Sequence, residues 1–161
     1  MLNQQQLIVK QILDAWNTQI ARTDKFFKEH SDEQLQKEIA PDRNSGAYLL
    51  GHLTTVHDAL FPMFGIGERL YPELENIFLE NPDKSGLKKP SVEYLRNCWK
   101  TVNEKLAQHF NAYSVDEWLE RHSAVKEEDF KKEPNRNKLN VVINRTNHLA
   151  NHLGQLMLLK D

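Results

Sequence analysis

The chain has 161 residues, a net charge of -2 from 21 basic and 23 acidic side chains, and a single cysteine, Cys98. That length suits one domain, residues 1–161, which buries roughly 70% of its unfolded surface and needs no disulfide to hold a core; a lone thiol suits a reducing cytoplasm. The charge balance gives no electrostatic pull toward nucleic acid, no run of about 18 apolar residues is present to span a membrane, and the start Met1-Leu2-Asn3-Gln4-Gln5-Gln6 lacks the basic and apolar regions of a signal peptide.

In chain order, the first segment, about Leu2 to Glu29, carries Leu7, Ile8, Ile12, Ala15, Trp16, Ile20, Thr23 and Phe27 at helical spacing, with no Gly or Pro inside. This pattern predicts one long amphipathic helix ending near His30. Ser31 and Gln34 fit a capping box for a short turn, and residues 40–46, with Pro41 and Gly46, read as a loop. A second helix is expected from near Ser45 to about Phe61. Tyr48, Leu49, His52, Leu53, Val56, Ala59 and Leu60 form its apolar face, and Pro62 kinks or ends it. Residues 65–78 read as irregular with a short helix from Pro72 to Phe78, and residues 81–86 as a turn.

A third helix, Ser91 to about Asn111, carries Val92, Leu95, Trp99, Val102, Leu106 and Phe110, the cleanest helical signal in the chain. Ser114 and Glu117 fit a second capping box, opening a short helix through Arg121. Residues 122–137 are charged and read mostly as loop; Lys131-Lys132 and Lys88-Lys89 are too short to make basic patches. The last helix is expected from about Lys138 to Lys160, lined by Leu139, Val142, Ile143, Thr146, His148, Leu149, His152, Leu153, Leu156 and Leu159. Four long helices define an all-α protein, a four-helix bundle with long irregular connections between helices 2 and 3 and between helices 3 and 4. Such connections often build the mouth of a site.

The candidate chemistry lies in the histidines. His148 and His152 are four residues apart, so they stand one above the other on a helix face and can hold one metal ion from one side. His52, in Leu49-Leu50-Gly51-His52-Leu53, falls in the inward stripe of the second helix and is the best third ligand. Taken alone, a histidine on an apolar face is more often a hydrogen-bonded core residue. Three imidazoles leave a metal with open positions, which favours chemistry over a closed structural site. A divalent ion there turns a bound water or thiol into the anion at neutral pH, and zinc, nickel and iron all suit imidazole.

The neighbours narrow this. No glutamate follows His148, so the segment is not the zinc-protease motif. Gln155 either orients a ligand or a bound water, or is a polar helix-end residue facing a loop. Asn151 is about 100° around the helix from His152 and falls in an outer shell or in solvent; His57 is about 140° from His52 and falls outside the cluster. His30, His109 and His122 lie near helix ends or in polar segments, where a histidine interacts with a helix C-terminus. Cys98 reads as a buried structural thiol. Glu68, Glu73 and Asp58 are near the presumed mouth in sequence only.

Leu49-Leu50-Gly51-His52-Leu53 together with Asn147-His148-Leu149-Ala150-Asn151-His152-Leu153-Gly154-Gln155-Leu156 resembles the DinB-like superfamily, of the DinB and thiol-dependent S-transferase-like type. Its signature is a histidine on helix 2 plus a terminal His-x-x-x-His-x-Gly-Gln, and all those positions are filled. The resemblance covers nearly the whole chain. It implies a metal, usually zinc or nickel, held by His52, His148 and His152 and completed by water. It also implies dimers in many members and, where activity is known, transfer or isomerisation with a low-molecular-weight thiol such as mycothiol, bacillithiol or glutathione. Hydrolases also occur in the family. The thiol-binding residues are not conveyed by the motif.

Three functions follow as alternatives. The leading one is a metal-dependent enzyme of the thiol S-transferase-like type, acting on a small-molecule substrate. The others are a non-catalytic, stress-related binding or structural bundle, and a metal-dependent hydrolase. Helix 1 carries Trp16, Phe26 and Phe27 beside Leu7, Ile8, Ile12 and Ile20, which fits either a homodimer interface or a wide buried stripe.

Overall fold

The structure, a computed structural model, describes residues 1–159. The first long helix, α1 (Gln4–Glu29), starts at a capping box in which Asn3 and Gln6 satisfy each other's backbone N–H. Val9, Trp16 and Thr23 repeat every seven residues on its buried face and continue into Phe26 and Phe27. It ends at His30, whose ring Nδ1 donates to the Phe26 carbonyl at 2.8 Å. The expected Ser31–Gln34 box caps α2 (Asp32–Gln36).

The next long helix, α3 (Gly46–Asp58), starts where the Ser45 hydroxyl accepts from the Tyr48 N–H at 3.1 Å. Every residue of α3 is buried except His52. A helix buried on nearly all sides sits at the centre of its protein, and α3 packs against both α6 (Val92–Ala112) and α9 (Lys138–Leu156). The expected single helix to Phe61 is broken. Pro62 has no N–H for the Asp58 carbonyl four residues back, so α3 stops at Asp58 and a separate turn, α4 (Leu60–Phe64), follows. The buried Asp58 carboxylate accepts from the N–H groups of Leu70 at 2.8 Å and Tyr71 at 3.0 Å, which fixes the following loop. α5 (Leu74–Phe78) then lies against α3.

α6 buries the expected Val92, Leu95, Trp99, Val102, Leu106 and Phe110, and Cys98 with them. Its Trp99 indole donates to Asp24 Oδ1 of α1 at 2.5 Å, and Arg96 binds the carbonyls of Phe27 and His30. The expected Ser114–Glu117 box caps α7, which ends at Leu119 (Val115–Leu119) rather than at Arg121. Residues expected as loop contain α8 (Glu127–Lys132). It buries nothing, but places Glu127, Glu128 and Asp129 in its first turn and Lys131 and Lys132 in its last, matching the helix dipole.

α9 begins at Asn137, whose side chain accepts from the Asn140 N–H, and it packs against α1 and α3. It ends at Leu156, not at Lys160, which lies outside the described residues. Ile143, expected on the buried face, is 38% exposed. The four long helices α1, α3, α6 and α9 therefore enclose the core of an all-helical fold, with α3 between α6 and α9. Among the described residues no helix is long and apolar enough to cross a membrane.

Candidate metal centre

The one α3 residue that escapes full burial faces the two histidines of α9. His52 Nε2 lies 3.3 Å from His148 Nε2, which lies 3.1 Å from His152 Nε2. The three candidate ligand atoms all fall within 4.8 Å of one another. None of the rings is stacked: His152 meets His52 and His148 edge-on at 74° and 83°, and His52 is tilted 54° to His148, so nitrogens converge, not ring faces.

Hydrogen bonds to the other ring nitrogen set the tautomers of two of them. His52 Nδ1 donates to the Phe78 carbonyl at 2.9 Å, and His152 Nδ1 donates to Gln155 Oε1 at 2.7 Å. Each leaves Nε2 as a lone pair directed at the third histidine. His148 Nδ1 is buried without a partner. Burial, then the neighbouring histidines and Arg145, press the His148 pKa down to about 4. Burial chiefly lowers that of His52. Both are therefore neutral at pH 7, the form that binds a metal.

The spacing fits an ion. Two nitrogens each about 2.05 Å from one zinc at tetrahedral angles stand about 3.3 Å apart, and the observed separations are 3.3 and 3.1 Å. All three donors come from one side, so further coordination positions are left open to small ligands.

Local packing explains the His52 segment. A Cβ on Gly51 would fall 2.3 Å from the Phe78 ring. Only glycine lets that ring lie against α3 and bring the Phe78 carbonyl to His52. Gly154, by contrast, has open space around its Cα.

The other sequence candidates divide clearly. Gln155 is the orienting group of His152. Asn151 is exposed. His57 is fully buried outside the triad, with Nδ1 on Asn103 Oδ1 at 2.8 Å and its ring between Trp16 and Trp99; burial pushes its pKa down to about 3. His30 caps α1 as expected. His122 does not cap a helix; its Nδ1 is buried without a partner. Cys98 is 1% exposed, and burial pushes its thiol up, away from reactivity. Of the acids near the presumed mouth, Asp58 holds the Leu70–Tyr71 backbone and Glu73 accepts from the Tyr94 hydroxyl at 2.7 Å. Glu68 is exposed, and among the described residues no carboxylate joins the histidine cluster.

Two features escape a sequence reading. The Phe78 carbonyl carries no residue-type signal. Arg145 does: it stands three positions before His148, on the same face of α9, and its charge acts on His52, His57 and His148. A family model described as the DinB superfamily matches residues 15–156, which include the three histidines, Gly51 and Gln155. No curated protein matches the chain.

Proposed function

This chain belongs to the DinB superfamily, and from that premise we propose that it is a metal-dependent enzyme of the thiol S-transferase-like type. His52, His148 and His152 would hold one divalent ion, zinc or nickel. The observation that carries this reading is the pair of Nε2 separations, 3.3 and 3.1 Å, with the lone pairs of His52 and His152 turned inward by their Nδ1 partners. When bound, such an ion lowers the pKa of a low-molecular-weight thiol or a water that reaches it. The chain's own part is to keep the imidazoles neutral by burial, to hold their tautomers through Phe78 and Gln155, and to leave one side open for thiol and electrophile.

A thiol is favoured over water because hydrolysis gains from a neighbouring base, and Asp58 and Glu73 are engaged elsewhere. The test is metal content of tag-free protein, followed by mycothiol, bacillithiol and glutathione offered with a panel of electrophiles. Thiol consumption that depends on metal and on His148 supports the transferase. Water-driven turnover without thiol supports a hydrolase. Protein that takes no zinc or nickel leaves the non-catalytic bundle.

We further propose a single domain, supported by one connected hydrophobic cluster running from Val9 to Leu159. The helix-1 stripe is mostly core: Trp16, Phe26 and Phe27 are buried, while Leu7 and Ile8 remain exposed with Ile143 of α9. A homodimer interface would use those three residues.

A further inference from the structure

Beyond the histidines, a cavity of about 370 Å³ is lined by His122, Arg136, Asn140, Asn144 and Arg145, with Val125 and Val141. Among the described residues no carboxylate lines it. One wall is the loop 121–125, held by the Arg121 guanidinium on the Val125 carbonyl and by the Ser123 N–H on the Met63 carbonyl at 2.9 Å. The other wall is the first turns of α9, anchored by its Asn137 cap. Both walls are thus fixed before any ligand arrives.

Two of the lining residues carry buried polar atoms with no hydrogen-bond partner, Arg145 Nε and His122 Nδ1. Leaving a buried donor of a charged group unmade is costly, and proteins retain such groups where a ligand completes them. Arg145 has no ion pair among the described residues, while Arg136 has a loose one to Glu133 at 3.7 Å. A guanidinium stays charged at any physiological pH and offers two parallel N–H groups, which match the two oxygens of a carboxylate. The size falls within the range of small-molecule sites. Arg145 also links the cavity to the centre, since it precedes His148 by one turn of the same helix face.

We propose that this cavity is a binding pocket for the carboxylate of a small molecule, with Arg145 as its principal anchor and Arg136, Asn140 and Asn144 around it. This deepens the metal-centre reading and rests on it only for where the other end of that molecule reacts. The substrate or thiol of the centre is then a carboxylic acid rather than a neutral compound.

The full chain, with its metal content measured on the same samples, is titrated with succinate, succinamide and inorganic phosphate. The readouts are calorimetry and the ¹H–¹⁵N signal of the Arg145 Nε–H. Succinate should bind and move that signal, with succinamide at least tenfold weaker. Arg145→Gln should lose about tenfold or more in succinate affinity, and Arg145→Lys should not restore it. Without ligand, both variants should melt no lower than the wild type and keep its metal content. Arg136→Gln gives a smaller loss of the same kind. The proposal is overturned if succinate leaves the Arg145 signal in place, if succinamide binds equally, if Arg145→Gln binds succinate normally, or if only phosphate binds. Succinate bound at Arg145 in a protein that takes no zinc or nickel supports the pocket and sinks the metal reading alone; metal without succinate binding does the reverse.

Discussion

Gly51→Ala separates a packing role from a coincidence of sequence. The added methyl would sit 2.3, 2.4 and 2.5 Å from three carbons of the Phe78 ring, so the ring must retreat by about 1 Å or more to reach ordinary contact. Phe78 is fully buried, its ring faces Tyr48, and its carbonyl takes the His52 Nδ1–H. Overpacking of this kind costs about 1–3 kcal/mol, offset by about 1 kcal/mol of helix propensity gained over glycine. The net loss is about 0–2 kcal/mol, a fall in Tm of up to roughly 8 °C. Displacing the carbonyl also frees the His52 ring, and losing such an outer partner lowers metal affinity about 10–100-fold. Thermal melting of the apo protein and competition for zinc against a chelator measure the two effects. The control is Gly154→Ala, where nothing lies within 4 Å: it should be neutral to stabilising and bind zinc normally. A Gly51→Ala protein with wild-type Tm and wild-type zinc affinity would refute the reasoning.

Other expectations follow from single contacts. Gln155→Leu removes the acceptor for His152 Nδ1 and should weaken zinc binding about 10–100-fold, with little change in Tm; chelator competition checks it, and unchanged affinity would contradict the orienting role. Acid should destabilise the apo protein through His57. Its folded pKa, about 3, lies below the unfolded value of about 6.5, so between those values the unfolded state binds the extra proton. This group's stabilisation is thus intact above pH 6.5 and falls by up to about 1.4 kcal/mol per pH unit on acidification. Urea midpoints from pH 7 to 4.5 should fall with acid, His148 and His52 adding to the slope, and His57→Gln should reduce it by the His57 share. Cys98 should resist a disulfide reagent in native protein and react once urea is added; fast native reaction would contradict its burial.

Much of the fold is legible in the residues because local rules and tertiary packing agree. The α6 pattern names its own core residues, and the Ser31–Gln34 and Ser114–Glu117 boxes mark real helix starts. α8 is hidden from an apolar-periodicity reading because it buries nothing; its only sign is the order of its charges. The break at Ala59 follows from the carbonyl that Pro62 cannot serve, four residues upstream of the proline itself. In the centre, the spacing of His148 and His152 is readable as a pair, whereas their meeting with His52 depends on how α3 packs against α9. The Phe78 acceptor is a backbone atom with no residue-type signal, whereas Arg145 is marked by its place one turn before His148, though its burial depends on packing outside α9.

The most direct test of the account is metal content by mass spectrometry on tag-free protein, beside single alanine variants of His52, His148 and His152. Near one equivalent of zinc or nickel is expected in the wild type, lost in all three variants while their helical content is kept. A wild-type protein that takes up neither metal, even after incubation with both, would contradict it.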